Sequence, residues 1–183
     1  FYVADPEVRK RNWHLRASGG LWPDVAPNLG HKALMHLEVR RILHTLVTQN
    51  VDDLHERGGA SIVIHLHGEL TKARSSKYPE LVYDIGYRDI NPGDTCDRGA
   101  QLRPHIVWFG EEVPMLDKAA EVVRTADHLL IVGTSLQVYP AAGLVYEVDR
   151  DVPITVIDPG EPASVSRARF IRKGAVEGVA EWV

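Results

Sequence analysis

Two polar clusters carry the residue types best suited to chemistry. Thr48-Gln49-Asn50-Val51-Asp52 follows an apolar run of Ile42-Leu43 with Leu46-Val47, and His65-Leu66-His67-Gly68-Glu69 follows another at 61–64. Both runs are short and rich in β-branched residues, so each is expected to be a buried strand. In open α/β sheets, ligands sit outside the carboxyl ends of the strands. Amides, a carboxylate and an imidazole are therefore expected to converge on one crevice.

His67 leads the set. An imidazole titrates near neutral pH, so it can take a proton from a hydroxyl and return it. Gly68 beside it lets a backbone or a ligand come close. The alternative is an ordinary packed or surface histidine. His65, two residues earlier, raises the idea of a metal pair, but no third ligand stands nearby in sequence, and zinc normally takes three or four.

Gln49, Asn50 and Asp52 offer amide donors, amide acceptors and one carboxylate within a turn. That set suits a ligand carrying a carboxamide and a ribose. The competing reading is turn and cap chemistry, strongest for Asp52. Gly133-Thr134-Ser135 follows the run at 128–132, which reads as the clearest buried strand. Backbone N–H groups and two hydroxyls there suit a phosphate or ribose, or form a plain strand-to-loop turn. No G-x-G-x-x-G lies between a strand and a helix. Trp108-Phe109-Gly110-Glu111 reads either as a core strand with an aromatic pair or as an edge that takes an extended peptide. Cys96 stands alone in a polar stretch.

The elements that position these groups alternate. A polar helix is expected over 5–18, opened by Pro6 after an Asp5 cap and stopped by Gly19-Gly20. Helical character begins at His31, and a short helix covers 52–57. The second strand runs to His67. Residues 71–103 form an excursion with one small hairpin near 81–83. A strand at 104–109, a helix at 115–126, the strand at 128–132, a helix from Pro140 through Glu147, a strand at 154–157 and a last helix near 164–172 follow. Strands alternating with helices imply an α/β fold with a mostly parallel sheet covered on both faces.

Size and composition set the class. The 183 residues suffice for one core of ordinary domain size. A formal net charge of −4 argues against a nucleic-acid partner and suits a protein that receives lysine-bearing substrates. One cysteine excludes an internal disulfide framework and points to a reducing compartment, taken as the cytoplasm. No apolar run reaches about 18 residues, so no membrane span is expected, and a monomer is the expected state. The start, Phe1-Tyr2-Val3, has no initiator methionine and reads as the middle of a longer protein.

The chain resembles the sirtuin family of NAD-dependent protein lysine deacylases. The resemblance runs through TQNVDDLH, HLHGEL, LRPHIVWFGEEVP and VGTSLQVYPAAGLV, and is nearest to bacterial class III members. It implies a single Rossmann-like NAD-binding domain over 1–183, with small-module segments at about 5–30 and 71–103. It implies deacetylation, or desuccinylation, of acyl-lysine proteins, giving nicotinamide, O-acyl-ADP-ribose and free lysine. A non-catalytic NAD or ADP-ribose binding module and a mono-ADP-ribosyltransferase are the rivals. His67 would be the general base for a ribose hydroxyl. Asn50 and Asp52, with Val51 between them, would line the nicotinamide pocket, and Gln49 would contact the ribose. Gly133, Thr134 and Ser135 would hold the adenosine side, with Asp158, Pro159, Gly160, Glu161 and Ala175 near the adenine and its ribose. Val107, Phe109, Gly110 and Glu111 would flank the acyl-lysine peptide, and Trp13 and Arg16 would meet the acyl group. The family's Gly-Ala-Gly-x-Ser loop is not in this sequence. Of its four zinc cysteines only Cys96 remains, with Ser75 where the first would fall, so no zinc or other metal is expected.

Overall fold

The computed structural model describes residues 24–161 and 165–182. In chain order the elements are α1 (Leu29–Val39), β1 (Leu46–Thr48), α2 (Leu54–Arg57), β2 (Val63–His65), β3 (Gly68–Ser75), β4 (Val82–Asp84), β5 (Leu102–Ile106), α3 (Leu116–Arg124), β6 (Leu129–Val132), a 3-10 helix (Ala141–Tyr146), β7 (Ile154–Ile157), β8 (Ala168–Ile171) and α4 (Ala175–Trp182). The chain divides into two units. Of the described residues, the smaller holds 24–26, 50–53 and 67–110, and the larger holds 27–49, 54–66 and everything from 111 onward. The polar helix expected over 5–18, with Trp13 and Arg16, lies outside the described residues.

The larger unit is parallel α/β. β1 pairs with β2, and β6-β7-β8 form a three-stranded sheet, all in parallel. β7 is central and all four of its residues are buried. Its β-branched run suits a strand covered on both faces. Side chains alternate across it. Ile154 and Val156 join Val123, Val145 and Val148, so α3 and the 3-10 helix cover that face. Ile157 joins Ile171, Val179, Ala33 and Leu34, so α1 and α4 cover the other. Helices on both faces match the sequence expectation. α4 sits so close that a Cβ at Gly178 would lie 2.2 Å from Ile157 Cγ2.

Local signals explain the helix ends. The Asn28 side chain caps α1 by accepting from the Gly30 and His31 amides at 2.9 and 3.2 Å, and the His31 ring accepts from the Asn28 amide. α3 buries Ala119, Ala120 and Val123 along one stripe, and Arg124 near its end pairs with Glu147 at 2.5 Å. A further cluster of Ile64, Leu66, Ala119 and Ala141 places both parallel sheets under the same helical cover.

The smaller unit is antiparallel, in strand order β4-β3-β5. The excursion at 71–103 is thus more regular than its polar composition suggests. The hairpin near 81–83 is present, as β4 against β3. Ala73, Cys96 and Leu102 form the buried interior, with Tyr78, Leu81, Tyr83, Ile85, Ile90 and Ala100 packed around them. Full burial of a side chain such as Leu102 contributes about 1.5–3 kcal/mol, and the partly buried ones around it add less each, which is how a segment of low apolar density holds its shape.

Several expectations are corrected. The segment at 164–172 is not helical where described: β8 occupies 168–171, paired with β7 from Ile154↔Ala168 to Ile157↔Ile171. The sheet ladder satisfies its backbone, Ile171 is buried, and the arginines at 169 and 172 face solvent. β6 is half-buried throughout because it pairs only with β7 among the described strands, so β7 is the most buried strand instead. The helix after Pro140 is of 3-10 type. The second strand stops at His65, and the strand expected at 104–109 is β5, which ends at Ile106.

Candidate functional site

In the smaller unit, three stretches are laced together by main-chain bonds. Leu70 N donates to Val51 O at 2.8 Å, and Val107 N donates to His67 O at 2.9 Å. Asn50, Val51 and Asp52 thus run beside the turn that carries His67, and Val107 runs beside it from the other flank. His67 occupies the two-residue turn between β2 and β3 and is half-buried. Gly68 makes that turn possible. Its φ of +81° lies in the left-handed region, and a Cβ there would come within 2.0 Å of His105 O on β5.

Charged groups surround this turn. Lys72 pairs with Glu69 at 2.7 Å. Arg74, 9% exposed, and Arg103 each donate an Nη2 hydrogen to Ile106 O at 3.2 Å. They fix the end of β5, from which Val107, Trp108, Phe109 and Gly110 depart. Arg103 also lies over the Trp108 ring at 5.8 Å. Phe109 is 95% exposed. Neither aromatic belongs to the strand, so the reading of a core strand with an aromatic pair is not met. Burial pushes the His105 imidazole below its ordinary pKa, and Arg74, Lys72 and Arg103 push the same way against Glu69. Its Nδ1 is buried with no hydrogen-bond partner among the described residues.

In the larger unit, the other candidate groups collect at strand ends. Gln49 follows β1, and its Nε2 donates to Thr134 Oγ1 at 3.4 Å. Gly133 ends β6 at a φ of +63°, and its amide donates to Ile157 O at 2.9 Å. Ser135 is exposed just beyond it. Asp158 ends β7, where its Oδ1 accepts from Gly160 N at 2.7 Å in a turn that carries exposed Pro159. Glu161 pairs with Arg172 at 3.3 Å, Ala175 opens α4, and Glu111 is half-buried. Gly133, Thr134 and Asp158 therefore sit at the carboxyl ends of neighbouring parallel strands, where open α/β sheets bind ligands.

His65 is engaged within the larger unit. It is buried on β2, and its Nε2 meets Glu56 Oε1 of α2 at 2.7 Å. Burial opposes the Glu56 charge, yet the His65 hydrogen bond, a backbone bond and the nearby imidazoles outweigh it and hold the carboxyl below its usual range. Among the described residues, no group of three His, Cys, Asp or Glu side chains is placed to hold a metal ion. The Ser75 hydroxyl bonds the buried Cys96 thiol and lowers its pKa.

Sequence reasoning missed two residues beside the turn and loop. Tyr87 Oη donates to Asp53 Oδ2 at 2.5 Å, across 34 positions of chain, and no local pattern signals that contact. His105 was passed over because only the backbone approach at Gly68 reveals how close it lies.

The architecture is an α/β protein with its polar groups gathered at strand ends, and comparison with known proteins agrees. The Sir2 family profile matches residues 2–140. An NAD-dependent protein deacylase of Helicobacter pylori (strain J99) is 54% identical over 136 residues, covering 74% of this chain and 57% of that protein. One from Bacteroides thetaiotaomicron is 48% identical over 190 residues, covering 98% of this chain and 79% of that protein. A solved Sir2 homologue in complex with NAD matches with a TM-score of 0.85 at 37% identity, covering 98% of this chain and 74% of that one. The chain belongs to the Sir2 family and has its Rossmann-like α/β fold. It spans little more than half the length of the Helicobacter relative. No helix among the described residues is long and apolar enough to cross a membrane.

Proposed function

We propose that the protein is an NAD-dependent protein lysine deacylase, releasing nicotinamide, O-acyl-ADP-ribose and free lysine. The observation that carries this reading is the main-chain lacing of the Asn50–Asp53 stretch to the turn bearing His67. It keeps the side chains of Asn50 and Asp52 and the imidazole of His67 within one unit, which supports the reading. The curated relatives are named for the same activity.

In this reading Asn50 and Asp52 engage the nicotinamide carboxamide, and Gln49 contacts the ribose. His67 accepts the proton of a ribose hydroxyl. Val107, Phe109, Gly110 and Glu111 receive the acyl-lysine segment of a protein substrate. Gly133, Thr134 and Ser135 supply amide and hydroxyl donors to the adenosine side. Asp158 meets the ribose through Oδ2, since Oδ1 is engaged by Gly160, with Pro159, Glu161 and Ala175 nearby. NAD supplies the ADP-ribosyl group that carries the acyl group away. Arg16, with Trp13, would pair with the carboxylate of an acidic acyl group such as succinyl.

The small module works without zinc in this reading. Its interior is the apolar cluster around Ala73, Cys96 and Leu102, and the protein acts in the cytoplasm as a monomer.

The test uses the full-length protein with NAD and an acetyl-lysine peptide, with products read by mass spectrometry. Nicotinamide and O-acetyl-ADP-ribose should form together, and His67→Ala should lower the rate by about two to four orders of magnitude. Tight ADP-ribose binding without nicotinamide release would make the protein a binding module. ADP-ribose left on protein would make it a transferase of that group. Either result overturns the deacylase reading.

A further inference from the structure

We infer that Tyr87 is a positioning residue for the Asn50–Asp53 stretch, and that the small module acts on the nicotinamide side of the site through it. The inference rests on the role proposed for Asn50 and Asp52.

Tyr87 lies in the turn after β4, and that turn is fixed from several sides. Ile85 N donates to Thr71 O at 2.9 Å, Arg88 N to Ile85 O at 3.2 Å, and Gly86 N to Asp84 Oδ1 at 3.0 Å. Ile85 packs against the apolar cluster of the module. From this anchored turn the Tyr87 hydroxyl reaches the Asp53 carboxylate at 2.5 Å. A hydroxyl donating to an ionised carboxylate is among the stronger hydrogen bonds available to a protein.

The consequence falls on Asp52. The residue before it is held by Leu70 N on Val51 O at 2.8 Å, and the residue after it is held by Tyr87. Asp52 is thereby fastened on both sides, once to β3 and once to the β4 turn.

Tyr87→Phe removes only the hydroxyl, and Asp53→Asn removes only the charge. In the full-length protein, Tyr87→Phe should raise both the KM for NAD and the inhibition constant for nicotinamide by about three- to tenfold, less than a fully buried charge-assisted bond would give because Tyr87 is 44% exposed. The KM for the acyl-lysine peptide should stay within about twofold. Combining both substitutions should cost no more than the larger single effect, because both break one contact. Amide hydrogen exchange at 50–54 should quicken in Tyr87→Phe while that at 63–66 does not change. An unchanged KM for NAD, equal rises for NAD and peptide, or additive effects of the two substitutions would overturn the inference. If the wild-type protein releases no nicotinamide, the deacylase reading fails by itself, and the exchange measurement then decides the latch: unaltered protection at 50–54 refutes it.

Discussion

Replacing Gly68 by alanine tests how the turn bearing His67 is built. Two separate costs arise. The φ of +81° is one that a side chain with a Cβ adopts only with strain, about 1–2 kcal/mol. The new methyl would also lie 2.0 Å from His105 O, 2.8 Å from His105 C and 3.0 Å from Ile106 Cα. These are backbone atoms of the paired strand, so no side chain can swing away, and overpacking of this kind costs about 1–3 kcal/mol more. The sum, roughly 2–5 kcal/mol, is a large share of the stability of a typical domain. Relief requires either opening the Gly68↔Ile106 pairing or turning residue 68 out of the left-handed region. Both displace His67. Gly99→Ala is the control: its φ is +75°, but nothing lies within 4 Å of the added Cβ. Thermal unfolding of the two variants should separate by at least about 2–4 °C, with Gly68→Ala the lower, and only Gly68→Ala should lose most deacylation. Equal melting temperatures, or full activity in Gly68→Ala, would refute the close approach of β3 and β5 at the turn.

Two further outcomes follow from the same unit. The folded-state pKa of His105 lies below 6.5, so the unfolded chain takes up its proton first as pH falls. Stability should therefore drop as pH is lowered through about 6.5, and urea unfolding of His105→Gln at pH 7.5 and 5.5 should show a smaller loss than the wild type; an equal loss would rule out His105 as a source. Chelation by EDTA should leave the melting temperature within about 1 °C and metal analysis should find no stoichiometric zinc, since Ala73, Cys96 and Leu102 fill the module interior; a large drop would show that the apolar cluster does not suffice.

Much of the candidate site was legible because its residues follow short β-branched runs, and strand ends are where α/β proteins bind ligands. Gln49, Asn50, Asp52, His67 and Gly133 are candidates on that ground, and the small unit keeps Asn50 and Asp52 beside the turn of His67. What local pattern could not give was pairing at a distance. Residues 168–171 are a strand because β7 is there to receive them, not because ARFI alternates cleanly. β6 looks more buried than it is, because apolar composition reports nothing about the number of neighbours a strand has. The polar stretch at 71–103 hides an antiparallel sheet whose interior needs only a few well-placed aromatics and aliphatics.

The lacing around His67 has an evolutionary side. The bonds from Leu70 to Val51 and from Val107 to His67 run through peptide groups, which every residue but proline can supply. The identity of the side chains at 51, 70 and 107 can therefore drift without slackening the turn. A lineage can therefore exchange those three side chains while the path of the main chain around His67 holds, and a designer can vary the same three places first.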